Sequence, residues 1–237
     1  MHFCSTLCLF VLAVTTALPR ISAQEGQGIF VTPIANMPFH GVVHIEKSVV
    51  NPNGSVSELK SIREVARDGR GRIHNEFREF VKATSNKTPQ PERIHLFDPQ
   101  TRTSAYLNPQ RHTYFTRTGN HPPAAFPPDR RFSTPPGEGP QNEFTEQEDL
   151  GTRDIDGQSA HGIRESQRVA AEDSGKGKEI VISDEYWYSE DLRINLVVKH
   201  SDPRTASFTL TVTEITRTEP DAALFEIPPG YRQMRNQ

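Results

Sequence analysis

Apolar and polar residues alternate with period two over much of this chain, most cleanly towards its C-terminus. In 193–200, Ile194, Leu196 and Val198 alternate with Asn195, Val197 and Lys199. In 207–215, Phe208, Leu210 and Val212 alternate with Thr209, Thr211 and Thr213. Period two places each set on its own face of a strand, and β-branched Thr suits a solvent-facing side. Ser201-Asp202-Pro203-Arg204 reads as the turn that joins the two into a hairpin. Residues 179–188 read as a further strand, turned into Arg193 by Ser189-Glu190-Asp191.

The first half reads the same way. A strand over 41–50 ends at Asn51-Pro52-Asn53-Gly54, and Asp68-Gly69-Arg70-Gly71 leads into another over 72–81. Short strands over 93–97, 103–107 and 112–116 are separated by Asp98-Pro99-Gln100 and Asn108-Pro109-Gln110, which suits a meander. Local rules conflict over 55–67. Val56, Leu59, Ile62 and Val65 recur at helical spacing, and Ser55 with Glu58 resembles a capping box. The hairpin-type turns on either side decide for a strand. After the last strand, Phe225, Ile227 and Tyr231 are expected to pack onto the sheet, with Pro228-Pro229 holding the chain extended. The expected fold is therefore mainly β, an antiparallel sheet of about 9–11 strands with little helix.

Two stretches break the pattern. Residues 118–142 hold seven prolines, among them Pro122-Pro123, Pro127-Pro128 and Pro135-Pro136, and can supply neither a regular ladder nor a helix. The expectation there is a long loop interrupting a single β-rich domain over 24–237. Gly175-Lys176-Gly177 marks a shorter loop.

At the other end, Phe3 to Leu18 is almost unbroken in apolar and small residues, and Pro19 and Ile21-Ser22-Ala23 follow. This order is that of a signal peptide over 1–23, and the run is short for a bilayer span. The protein is expected to be exported, periplasmic or extracellular, with no transmembrane span once the leader is cleaved. Cys4 and Cys8 are the only cysteines and both lie in the leader, so the mature chain has no disulfide, thiol nucleophile or thiolate ligand. Only 34% of the whole chain is hydrophobic. A single curved sheet with one covered face suits that thin core better than a sheet covered on both faces. The net charge of −3 argues against nucleic acid as a partner.

Candidate chemistry is sparse. There is no phosphate-binding Gly-x-x-x-x-Gly-Lys loop, no Gly-x-Ser-x-Gly elbow and no His-Glu-x-x-His helix. No cofactor is expected. His40 and His44 share a strand face and are the weak metal candidates, with His74 or Glu76 as a third ligand; the plain alternative is a polar stripe. The acidic run Glu143, Glu146, Glu148 and Asp149 reads as a solvated flank. Tyr186-Trp187-Tyr188 is the candidate ligand-binding set, with Trp187 pointing opposite to both tyrosines; ordinary sheet packing is the competing reading.

The order of leader, Cys-free meander, Glu185-Tyr186-Trp187-Tyr188-Ser189, Thr-rich last strand and the tail from Glu219 to Tyr231 resembles exported bacterial proteins of an Acidobacteria-like kind. It is distantly similar to the lipoprotein-carrier superfamily of LolA, LolB and RseB. That resemblance implies a curved antiparallel half-barrel whose concave face takes acyl chains or a protein signal. The function expected is non-enzymatic binding or sensing in the cell envelope, for an apolar or acyl ligand or another envelope protein. The alternatives are an envelope interaction protein without a small ligand, and a hydrolase whose site the sequence does not display.

Overall fold

The computed structural model describes residues 29–119 and 145–234. The expected leader and most of the Pro-rich segment lie outside these residues. The described chain runs β1 (Phe39–Val50), β2 (Val56–Arg67), β3 (Ile73–Arg78), β4 (Val81–Lys82), β5 (Pro91–Asp98), β6 (Thr103–Asn108) and β7 (Thr113–Thr118). It continues through β8 (Thr145–Ile155), β9 (Gln158–Val169), β10 (Ile180–Ser189), β11 (Ile194–Asp202), β12 (Ala206–Thr216), a 3-10 turn (Ala222–Phe225) and β13 (Arg232–Gln233).

All thirteen strands belong to one open, curved sheet, ordered β13-β7-β6-β5-β3-β2-β1-β12-β11-β10-β9-β8, with β4 alongside β2. The expected curved antiparallel half-barrel is what forms. The strand number exceeds the expected one because β4 and β13 are two-residue strands. Two meanders meet in the middle, where β1 pairs with β12 from Val42↔Thr213 to Val49↔Ala206. Every pairing is antiparallel except β13 with β7. No helix among the described residues is long and apolar enough to cross a membrane.

The disputed segment 55–67 is a strand, as the framing turns require. Its pairing with β1 runs unbroken from Phe39↔Arg67 to Val50↔Val56. The helix-like spacing puts Leu59 and Val65 on one face and Val56 and Ile62 on the other. A strand paired on both sides can use apolar residues on each face.

Register carries two faces across the whole sheet. The first face holds Val43, Ile45, Leu196, Val198, Leu210 and Val212, all buried, and this is the centre of the core. Ile29 and Val31, ahead of β1, join that cluster. The second face holds His40, His44, Glu64, Glu76 and Trp187. At the β3–β7 end, the second face is packed by the C-terminal tail. Ile227 and Tyr231 pack on Leu96, Ala105 and Leu107. Phe225 is buried, with the Arg72 guanidinium 5.0 Å from its ring. The Glu219 carboxylate accepts the Gly69 N–H, and the Asp221 side chain caps the 3-10 turn at Ala223. The tail thus closes the domain as expected. Phe225→Ala is expected to cost about 3 kcal/mol, since a buried ring is lost from a site that a chain end can partly collapse into. Chemical denaturation checks this, and an unchanged midpoint would mean that tail docking contributes nothing.

Candidate functional site: an arginine–aromatic face

The site is built by strand register on the first face, over β2, β3, β5, β6 and β7. One cross-strand row runs Val43, Arg63, Phe77, Arg93. The adjoining row runs Val65, Asn75, His95, Tyr106, Phe115. Opposite residues on paired strands stand close enough for rings and guanidinium groups to touch, and they do. The guanidinium carbons of Arg63 and Arg93 each lie 4.4 Å from the centroid of the one Phe77 ring. His95 stacks on Tyr106 at 4.7 Å, and Tyr106 on Phe115 at 5.0 Å. Arg117, two residues along β7 on the same face, lies 5.5 Å from the Phe115 ring.

The electrostatics are one-sided. No carboxylate bonds Arg63, Arg93 or Arg117 among the described residues. Burial, and then the charge of Arg93, lowers the Arg63 guanidinium to about 10. The same two causes, burial first, hold the His95 imidazole below its ordinary value, so it favours the neutral form. Asn75, between these groups, has a buried side-chain oxygen without a hydrogen-bond partner. Two like charges share one ring, and only cation–π attraction holds them there. Such a surface favours a ligand with an anionic group and an apolar or planar body.

The residues singled out from sequence fall elsewhere. Tyr186, Trp187 and Tyr188 are all buried. Tyr186 is on the first face, opposite Val198 and Ile163. Trp187 is on the second face, against Gly162, where a Cβ would come within 2.8 Å of the ring. The Arg153 guanidinium lies 3.7 Å from the Trp187 centroid, and the indole N–H donates to Glu185 at 2.8 Å. A bulge between Trp187 and Tyr188 shifts the register there.

His40 and His44 share the second face but not a site. Four residues along a strand span about 13 Å. His40 is 2.8 Å from Glu64, whereas His44 lines a recess of about 470 Å³ with Glu46, Lys60 and the 85–89 loop. Sequence reading misses the arginine–aromatic rows because they need the register of five strands. The signal present in the sequence is Arg93, His95 and Phe97 at alternate positions of one short strand and Phe115 and Arg117 at alternate positions of another.

No family model matches the chain, and no curated protein matches it. Among solved structures it is similar to an uncharacterized conserved protein from Thermus thermophilus, at 12% identity and a TM-score of 0.40, over 85% of this chain and 91% of that one. It is similar to the MucA/MucB complex of Pseudomonas aeruginosa, at 11% identity and a TM-score of 0.39, covering 80% of this chain and 55% of that one. It is also similar to the LolA superfamily protein NE2245 from Nitrosomonas europaea, at 9% identity and a TM-score of 0.32, over 82% of this chain and 92% of that one. These are distant likenesses of fold alone, and one of the three similar structures is a LolA superfamily protein.

Proposed function

We propose that this is an exported, envelope-associated binding protein that holds an anionic amphiphile on the arginine–aromatic rows of its first face. The observation that carries the reading is the pair Arg63 and Arg93, set on one Phe77 ring without a carboxylate partner among the described residues. A carboxylate or phosphate placed between two guanidinium groups gains charge-assisted, bidentate hydrogen bonds and relieves their mutual repulsion. The apolar body then lies along Phe77, Tyr106 and Phe115, which are half-buried. It does not enter the centre of the sheet, because Val43, Val198 and Val212 are sealed there. Covering those rings stabilises the complex by about 25 cal/mol per Å² of apolar surface. The expected leader over 1–23 agrees with a ligand met outside the cytoplasm.

Calorimetric titration with palmitate below its aggregation limit tests this, beside a monoacylglycerol as the uncharged counterpart. Saturable palmitate binding is expected, at least tenfold weaker in the Arg63→Gln/Arg93→Gln double variant and weakened by salt. Palmitate binding unchanged in that variant would overturn the reading, as would equal affinity for the uncharged lipid. A saturable shift of Trp187 emission would place the ligand on the second face instead.

A further inference from the structure

We propose that Glu64, His74 and Glu76 form a binding site for one divalent transition cation of the zinc class, on the second face beneath the C-terminal tail. The three side chains converge from the β2–β3 hairpin. Glu64 and Glu76 are direct cross-strand partners, and His74 lies two residues from Glu76 on the same face. One ligand atom from each lies within 4.8 Å of the others.

Two features of this cluster lack an explanation without a cation. The His74 imidazole is only 4% exposed, and its Nε2 has no hydrogen-bond partner. Its Nδ1 is 2.7 Å from the Leu224 carbonyl, which can only accept. In the neutral ring the proton is therefore on Nδ1, and Nε2 is left as a bare lone pair. A buried polar atom without a partner is costly. The second feature is the pair of carboxylates placed directly opposite each other, an arrangement that destabilises a sheet. Arg78 brings a permanent positive charge to Glu76 alone, and Glu64 has the His40 ring nitrogen beside it. A dication accepts the free lone pair and neutralises both carboxylates.

The supporting contacts suit ligands held for metal binding. Each of the three residues has one polar atom fixed by an outer partner. The Leu224 carbonyl holds His74, His40 lies 2.8 Å from one Glu64 oxygen, and Arg78 holds one Glu76 oxygen. Outer contacts of this kind orient metal ligands and set the histidine tautomer. Ala66 sits between His40 and His74 in the cross-strand row, so no bulky side chain separates the two histidines. One imidazole with two carboxylates matches zinc and neighbouring transition ions better than calcium or magnesium, which take oxygen ligands alone. Ligand atoms at about 2.0–2.2 Å from zinc stand closer together than the present spread, and a turn of each carboxylate supplies the difference. Water can complete the coordination.

The position gives the ion a consequence. His74 is tied to Leu224, in the turn that carries Phe225, so a bound cation fastens the β2–β3 hairpin and the tail together.

The test is calorimetric titration of chelator-treated full-length protein with Zn²⁺, with Co²⁺ absorption as a second readout. Binding of one ion per chain is expected, at micromolar affinity or tighter, with a visible Co²⁺ band and a raised melting temperature. Glu64→Gln is expected to weaken binding at least tenfold and His74→Gln to abolish it, while His44→Ala leaves it unchanged. Glu64 is partly exposed, so its variant keeps the test decisive if the buried His74 variant fails to fold. Excess Ca²⁺ is expected not to compete. Absence of saturable Zn²⁺ binding would overturn the proposal. So would unaltered affinity in Glu64→Gln, which would assign the ion to other histidines.

Discussion

Arg67→Met is expected to lower the melting temperature by about 10 °C, through a loss of about 3–5 kcal/mol. Arg67 is 0% exposed, and its guanidinium makes three hydrogen bonds to backbone carbonyls. Nε donates to Met37 at 2.7 Å, and the two terminal nitrogens donate to Thr32 at 2.8 Å and Leu192 at 2.9 Å. These acceptors lie before β1 and in the β10–β11 turn, so one side chain fastens three distant pieces of chain. Phe39 lies 5.1 Å from the guanidinium carbon. Burial lowers the group to about 10, so it is still charged at neutral pH. Methionine fills a similar volume and offers no donor, leaving the Met37 and Leu192 carbonyls without a partner and the Thr32 carbonyl with the Ile34 N–H alone. Arg67→Lys is expected to recover only part of the loss, because an ammonium group cannot reproduce the planar fork. Differential scanning calorimetry of the three proteins checks this. A melting temperature for Arg67→Met within about 2 °C of wild type would show that those carbonyls find other partners.

The same residue shows where sequence reading stops. The turn Asp68-Gly69-Arg70-Gly71 marks the β2–β3 hairpin plainly, because a glycine with φ of +83° at Gly71 is what such a turn needs. Once that turn is placed, Arg67↔Ile73 fixes Glu64↔Glu76 by counting, so most of the cation site is within reach of the sequence. Sequence reading does single out His74 and Glu76 as partners of His40 and His44. His44 is a row too far along the strand, and Glu64 has the look of an ordinary surface acid. Arg67 gives no sign of burial, since a charged residue at the end of a strand normally points to water. Its burial follows from a segment ahead of β1 that has no periodic pattern. The arginine–aromatic face is hidden for a related reason. Its rows cross five strands, and although the short turns give β5, β6 and β7 as neighbours, nothing in the 79–90 segment gives the register of β3 against β5.

Glu185→Ala is expected to destabilise the fold by about 3 kcal/mol at neutral pH, with the difference from wild type shrinking steadily below about pH 4.5. Glu185 stands on the second face among groups that all need an acceptor. Lys199 donates to Oε1 at 2.8 Å, the Trp187 indole to the same oxygen at 2.8 Å, and Arg164 to Oε2 at 2.9 Å. Arg164 also reaches Glu148 at 2.9 Å, which extends the network to the β8 edge. Burial by itself raises this carboxyl. The hydrogen bonds from Lys199, Trp187 and Arg164, with the Lys199 charge, outweigh it and hold the group down to about 2. An acid held below its unfolded value of 4.5 contributes stability above about pH 4.5, and that contribution is lost as the pH falls towards 2. Lys199 and Arg164 are partly exposed and turn to water when the carboxylate is gone. The indole N–H is buried and cannot, so Trp187→Phe in the Glu185→Ala background is expected to restore about 1 kcal/mol. Urea denaturation of wild type and variants between pH 7 and pH 2.5 reads both effects. A stability difference that stays constant over that range would show that the carboxylate's charge plays no part in holding Trp187 on the second face.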